Sequence, residues 1–176
     1  MAEAPRRLFF ALWPAAAVAG ELDRLAREVQ RACGGRATRR DSLHLTLAFL
    51  GDVPADRVSA AEAAADAVAG GRFLLELDRL ACWKHNRIVW AGCERTPAAL
   101  ADLAAGLGDN LRAAGFVLDA RPFAVHATLV RNADCRVALP PLQPPLHWQV
   151  DDFALIESRL APGGSRYAIV RRWPLH

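Results

Sequence analysis

His44 and Thr46 lead the run HLTLAFLG, and 82 residues further on His126 and Thr128 lead the run HATLVR. Both runs read as buried strands, which should be apolar almost throughout, yet each opens with an imidazole followed two residues later by a hydroxyl. In a strand, residues i and i+2 point to the same face, so each His projects with its Thr. If the two strands lie side by side between two lobes, two imidazoles and two hydroxyls converge in one cleft. That set suits a phosphodiester. A neutral imidazole can take a proton from the attacking nucleophile while a protonated one gives a proton to the leaving oxygen. In-line displacement at phosphorus places these groups on opposite sides, and the Thr hydroxyls can donate to the non-bridging oxygens.

A lone His at the head of an apolar strand is usually a hydrogen-bonded core residue, and Thr is an ordinary strand residue. Two copies at the same internal spacing argue against that plainer reading. His85 at a hairpin tip, His147 after a proline-rich loop and the terminal His176 read as surface residues. A metal held by His44 and His126 would need a third ligand, and no Asp, Glu or Cys stands at an obvious spacing, so no metal or cofactor is expected.

Around these motifs the 176 residues suffice for one core, and 53% apolar with 23% charged residues is a globular balance. The net charge of +3 is mildly basic and favours an anionic ligand. Lys84 is the sole lysine beside many arginines and alanines, a bias of genome composition more than a count of phosphate contacts. No apolar run approaches the roughly 20 residues that span a bilayer, so no membrane partner is expected. The N-terminal RLFFALW has strand character and is followed by Pro14, which speaks against a cleaved signal. Cys33, Cys82, Cys93 and Cys135 show no metal spacing and read as reduced, mostly buried thiols of a cytoplasmic protein.

The elements that must position the motifs follow from periodicity. Arg7 to Trp13 reads as a strand. Pro14 opens a helix to about Cys33, with Val18, Leu22, Leu25 and Val29 at helical spacing and Gly34-Gly35 as its stop. Leu43 to Leu50 is the first motif strand, turned by Gly51-Asp52. A helix runs from Pro54 to Gly70-Gly71, Phe73–Cys82 and Arg87–Cys93 form a hairpin, and Thr96-Pro97 caps a third helix ending near Gly115. Phe123 to Val130 is the second motif strand. After the loop LPPLQPPL, Trp148–Arg159 and Arg166–Trp173 form a last hairpin around Pro162-Gly163-Gly164. This order predicts an α+β fold with antiparallel sheets and no dividing linker, a single domain over residues 1–176.

The chain resembles the 2H phosphoesterases, and within them the bacterial RNA 2′,3′-cyclic phosphodiesterases, or 2′-5′ RNA ligases. The resemblance covers nearly the whole chain. It rests on RLFFALWP, LHLTLAFLGDVP, RIVWAG, HATLVR and FALIESRLAPGGSRYAIVRRWPL, with the paired His-x-Thr motifs as the family's signature. It implies a bilobal pseudo-twofold fold, with two antiparallel sheets facing a central cleft and helices packed outside. It also implies metal-independent opening of RNA 2′,3′-cyclic phosphate ends, or of nucleoside 2′,3′-cyclic phosphates, to a 2′-phosphate, with 2′-5′ ligation as the reverse reaction. By that pattern His44 and His126 are the acid–base pair, and Thr46 and Thr128 hold the phosphate. The residues alone leave the two histidine roles interchangeable; the family's usual assignment makes His44 the acid and His126 the base. Arg131 fits the basic position after the second motif, but strict alternation puts it on the face opposite His126 unless the strand ends or bulges. The family's usual Pro before the second His is Val125 here.

Single-stranded RNA ends are commonly gripped by aromatic stacking. Phe9, Phe10, Trp13, Trp83 and Trp90 are the candidates, with Trp83 foremost because it borders a hairpin tip. A monomer is expected, since the cleft lies between lobes of one chain. Two other readings keep the same four residues: a phosphodiesterase for another cyclic or 2′-5′ phosphodiester, and a nucleotide- or RNA-binding module without turnover.

Overall fold

The computed structural model describes residues 4–176. In chain order the elements are β1 (Arg6–Leu12), α1 (Ala16–Cys33), β2 (Arg36–Ala37), β3 (Leu45–Val53), α2 (Val58–Asp66), β4 (Phe73–Leu77), β5 (Arg79–Trp83), β6 (Ile88–Gly92), α3 (Ala98–Ala113), β7 (Ala127–Arg131), β8 (Leu146–Val150), β9 (Asp152–Ala161) and β10 (Gly164–Pro174). Every paired strand is antiparallel.

The main sheet runs β10-β9-β1-β3-β7-β6-β5, with β2 also on β7. It is two half-sheets joined at a seam. β3 and β7 touch through the pair Leu45↔Ala127, and these are the residues that follow His44 and His126. The pseudo-twofold arrangement therefore has its axis between the two motifs, and the expected α+β bilobal fold is the one observed.

Alternation along β1 explains the layering. Leu8, Phe10 and Leu12 enter the large core beneath the helices, together with Leu22, Leu25 and Val29 of α1 and Leu100, Leu103 and Leu107 of α3. Phe9 and Ala11 face the other way and pack with Ala154 and Ile156, flanked by Trp13 and Tyr167. That smaller cluster lies on the opposite face of the first half-sheet from the helices.

Several expectations are corrected. The first motif strand does not turn at Gly51-Asp52; it continues to Val53, with Gly51 at φ +73 inside it. The stretches 73–82 and 148–159 each break at an aspartate. Their first halves, β4 and β8, pair with one another in a separate two-stranded sheet, while β5 and β9 join the main sheet. Asp78 holds its break by accepting a hydrogen bond from the Glu94 amide at 2.8 Å. Helix α2 ends at Asp66, short of the glycines, where the carboxylate accepts from Trp173 Nε1 at 2.7 Å and pairs with Arg171 at 2.6 Å. Thr96 does not cap α3; the Pro97 carbonyl accepts from Leu100 and Ala101 at 3.0 Å.

The cysteines are not all free thiols. Cys82 and Cys135 form a disulfide, Cα atoms 5.7 Å apart, while Cys33 and Cys93 stay unpaired. A separation of 53 residues matches no spacing motif, so only the packing of β5 against the loop after β7 brings the two together. Among the described residues no helix is long and apolar enough to cross a membrane.

Candidate active site

His44 and His126 each stand immediately before their strand. Each ring is fixed by the same local contact: Nδ1 donates to the carbonyl two residues back, His44 to Ser42 at 2.8 Å and His126 to Ala124 at 2.9 Å. A carbonyl can only accept, so Nδ1 carries the proton in the neutral ring. Nε2 is left free as the proton acceptor, or as a donor once the ring is charged. Both histidines line one cleft of about 600 Å³, together with Thr46, Thr128 and Arg131.

Arg131 reaches the cleft because β7 bulges. Trp90 pairs with Thr128 and Val89 with Val130, so Leu129 has no partner on β6. One extra residue shifts the alternation, and Leu129 and Val130 are both buried while Arg131 emerges on the Thr128 side. The first half-sheet repeats the device. Ala11 pairs with Thr46 and Phe10 with Ala48, skipping Leu47, so Phe49 returns to the face of Thr46. Phe49 and Arg131 thus occupy matching places, each three residues beyond its threonine.

The two imidazoles sit in unequal surroundings. His44 is wedged between aromatic rings, with Trp13 stacked at 5.4 Å, Phe9 at 5.0 Å and the edge of Tyr167 at 5.4 Å. Burial pushes its pKa down to about 4; the Ser42 carbonyl works against this, and the positive fields of His126 and Arg131 add to it. His126 meets one ring, Trp83, edge-on at 4.7 Å. Burial lowers its pKa as well, opposed by the Ala124 carbonyl and aided by Arg131.

The depressed His44 pKa links to stability with a definite sign. Between about 4 and the ordinary 6.5 the unfolded chain binds the extra proton, so stability is full above 6.5 and falls as pH drops through that window. Urea unfolding at pH 7 and pH 5 should show roughly 2 kcal/mol less stability at the lower pH from this group. His44→Gln should flatten the dependence; an unchanged slope in that variant would show that the imidazole is not buried in its neutral form.

The chain's likeness to known proteins follows the same two halves. Residues 12–90 and 92–167 match the family described as LigT like Phosphoesterase, each stretch carrying one His-x-Thr motif. The chain belongs to this family. Among curated relatives, the RNA 2′,3′-cyclic phosphodiesterase of Escherichia coli is 36% identical, over 97% of each chain. That of Thermus thermophilus is 28% identical over 96% of this chain and 90% of its own. The crystal structure of E. coli LigT complexed with 3′-AMP superposes with a TM-score of 0.89 at 35% identity, covering 97% of this chain and 98% of that one.

Within the family fold, the aromatic candidates separate. Phe9 lines the cleft, Phe10 is fully buried in the main core, Trp13 and Trp83 back the two histidines, and Trp90 lies behind Trp83 at 5.3 Å. The exposed ring in the cleft is instead Phe49, 45% accessible, with the Arg7 guanidinium 4.9 Å above its centroid. Sequence reasoning passed over it as part of an apolar run; the matching step from Thr128 to Arg131 was the available signal. Arg7, Arg36, Arg39, Ser42 and Tyr167 also line the cleft and were not singled out. Among the described residues the wall carries four arginines and no carboxylate, which gives it a positive charge suited to an anion.

Proposed function

We propose that this protein is a metal-independent RNA 2′,3′-cyclic phosphodiesterase that opens the cyclic end to a 2′-phosphate. The observation that carries the reading is the matched pair of Nδ1 contacts, which leaves one free Nε2 from each half-sheet in a shared arginine-lined cleft. In this reading His126 Nε2 takes a proton from the attacking water as its oxygen bonds to phosphorus. The P–O3′ bond breaks, and protonated His44 gives its Nε2 proton to O3′, leaving a 3′-hydroxyl. Thr46 and Thr128 donate to the non-bridging oxygens, and Arg131 offsets the charge that builds on them.

The low pKa of His44 bears on its role. In the empty cleft the ring is neutral, since burial and the Arg131 charge both disfavour its cation. A bound phosphate brings the compensating negative charge, so substrate itself stabilises the proton that the leaving oxygen needs. Phe49 offers its exposed face to the base of the terminal nucleotide. The whole chain acts as one bilobal domain and as a monomer, since both halves of a single chain build the cleft. An RNA substrate fits a cytoplasmic setting.

The test is incubation with EDTA present, with a nucleoside 2′,3′-cyclic phosphate and with an oligonucleotide ending in one. The expected product is the 2′-phosphate isomer. A 3′-phosphate would exchange the leaving oxygen and with it the two histidine roles, and no turnover of either substrate would overturn the reading.

A further inference from the structure

Resting on that reading, the geometry points to a second phosphate site beside the reacting one, at Arg36. We infer that this residue holds the phosphodiester on the 5′ side of the terminal nucleotide and makes the enzyme favour RNA ends over mononucleotides.

Arg36 lies on β2, whose two residues pair with the end of β7 so that Arg36 is the direct register partner of Arg131. Residues directly opposite in an antiparallel pair have side chains on the same face, about 4.5–5.5 Å apart at Cβ. The two arginine side chains therefore rise from the same face at one wall of the cleft, which both residues line. Like charges placed this way are unfavourable unless a counter-charge is supplied. The protein supplies one to its other two cleft arginines: Arg39 pairs with Asp41 at 3.1 Å and Arg7 with Asp52 at 3.6 Å. Among the described residues, Arg36 and Arg131 have no carboxylate partner and the cleft wall carries no carboxylate.

The close approach of β2 is itself built in. Gly35 has φ +81, and a Cβ there would lie 2.5 Å from the Arg131 carbonyl oxygen. Only glycine lets the chain leave α1 and dock against β7 at this point. The two glycines that stop the helix thus also set Arg36 opposite Arg131.

The ligand chemistry follows from connectivity. When Arg131 meets the cyclic phosphate, the substrate's next phosphate is the diester on the terminal nucleotide's 5′ oxygen. A nucleoside 2′,3′-cyclic phosphate has no such group; a dinucleotide or longer RNA does. An uncompensated cation one side chain away from Arg131 is suited to that diester.

The experiment compares kcat/KM on a nucleoside 2′,3′-cyclic phosphate and on a short oligoribonucleotide with the same terminal nucleotide, for wild type, Arg36→Ala and Arg36→Lys. In Arg36→Ala the oligonucleotide-to-mononucleotide ratio should fall about tenfold, the scale of one charge-assisted contact. The salt dependence of log kcat/KM on the oligonucleotide should flatten by about 0.7, as for one lost phosphate contact on a single strand. Arg36→Lys should recover part of the ratio, because the charge remains. An equal fall on both substrates would assign Arg36 to the reacting phosphate, and no fall on either would make it a surface cation; each overturns the inference. If wild type turns over neither substrate, it is the proposed function that fails, and this inference with it.

Discussion

His44→Ala and His126→Ala are each expected to lower kcat on a nucleoside 2′,3′-cyclic phosphate by ~10²–10⁴-fold, the usual worth of a positioned acid or base. The effect belongs to the chemical step, because each ring meets the cleft through one free nitrogen while the other is committed to a backbone carbonyl. The two losses will not multiply in the double variant, since acid and base act in one transition state. Removing His44 also leaves a gap among Trp13, Phe9 and Tyr167, so His44→Gln serves as the control that keeps the site filled. Wild type should show a bell-shaped pH–rate profile whose limbs belong to the coupled pair, and His126→Ala should lose one limb. Full activity in either folded alanine variant would remove the histidines from the mechanism.

The paired motifs were legible because a spacing of two keeps extended residues on one face: His44 and His126 stand immediately before their strands, and each still lines the cleft together with its Thr46 or Thr128. Which strands would meet was legible only through family resemblance, since Leu45↔Ala127 is a single contact between half-sheets with little matching sequence. Three features stayed hidden because each depends on a distant partner. The bulges at Leu47 and Leu129 are mismatches in count between two strands, and one strand's sequence does not contain that count. The pairing of β4 with β8 takes the first halves of two runs that each look continuous until Asp78 and Asp151 break them. Strand β2 is two residues long and has no periodicity to read, yet it carries Arg36 into the cleft. The same ignorance of packing made Cys82 and Cys135 look like independent thiols. The helices were legible to within a few residues, and α2 is the informative exception: it ends at Asp66, whose carboxylate takes its partners Arg171 and Trp173 from β10, before the glycines are reached.

Arg131→Ala is expected to lower kcat by ~10²–10³-fold, more than it raises KM, the scale seen when one donor to a developing oxyanion is removed. The argument starts at the bulge. Without Leu129 as the extra residue, Arg131 would point away from Thr128; with it, the guanidinium joins the two imidazoles in the cleft. Its planar fork can contact two non-bridging oxygens at once, and their charge grows as the attacking oxygen adds to phosphorus. Arg131→Lys keeps the charge but loses the fork, so an intermediate rate is expected. A second readout separates this role from simple anion attraction. The Arg131 charge helps depress the pKa of both His44 and His126, so both should rise in Arg131→Ala and the pH profile of kcat/KM should move to higher pH. In Arg131→Lys the positive field remains and the profile should stay near that of wild type. A loss confined to KM, with an unmoved pH profile, would place Arg131 at the mouth of the cleft as a general attractor of anions and remove it from the reacting phosphate.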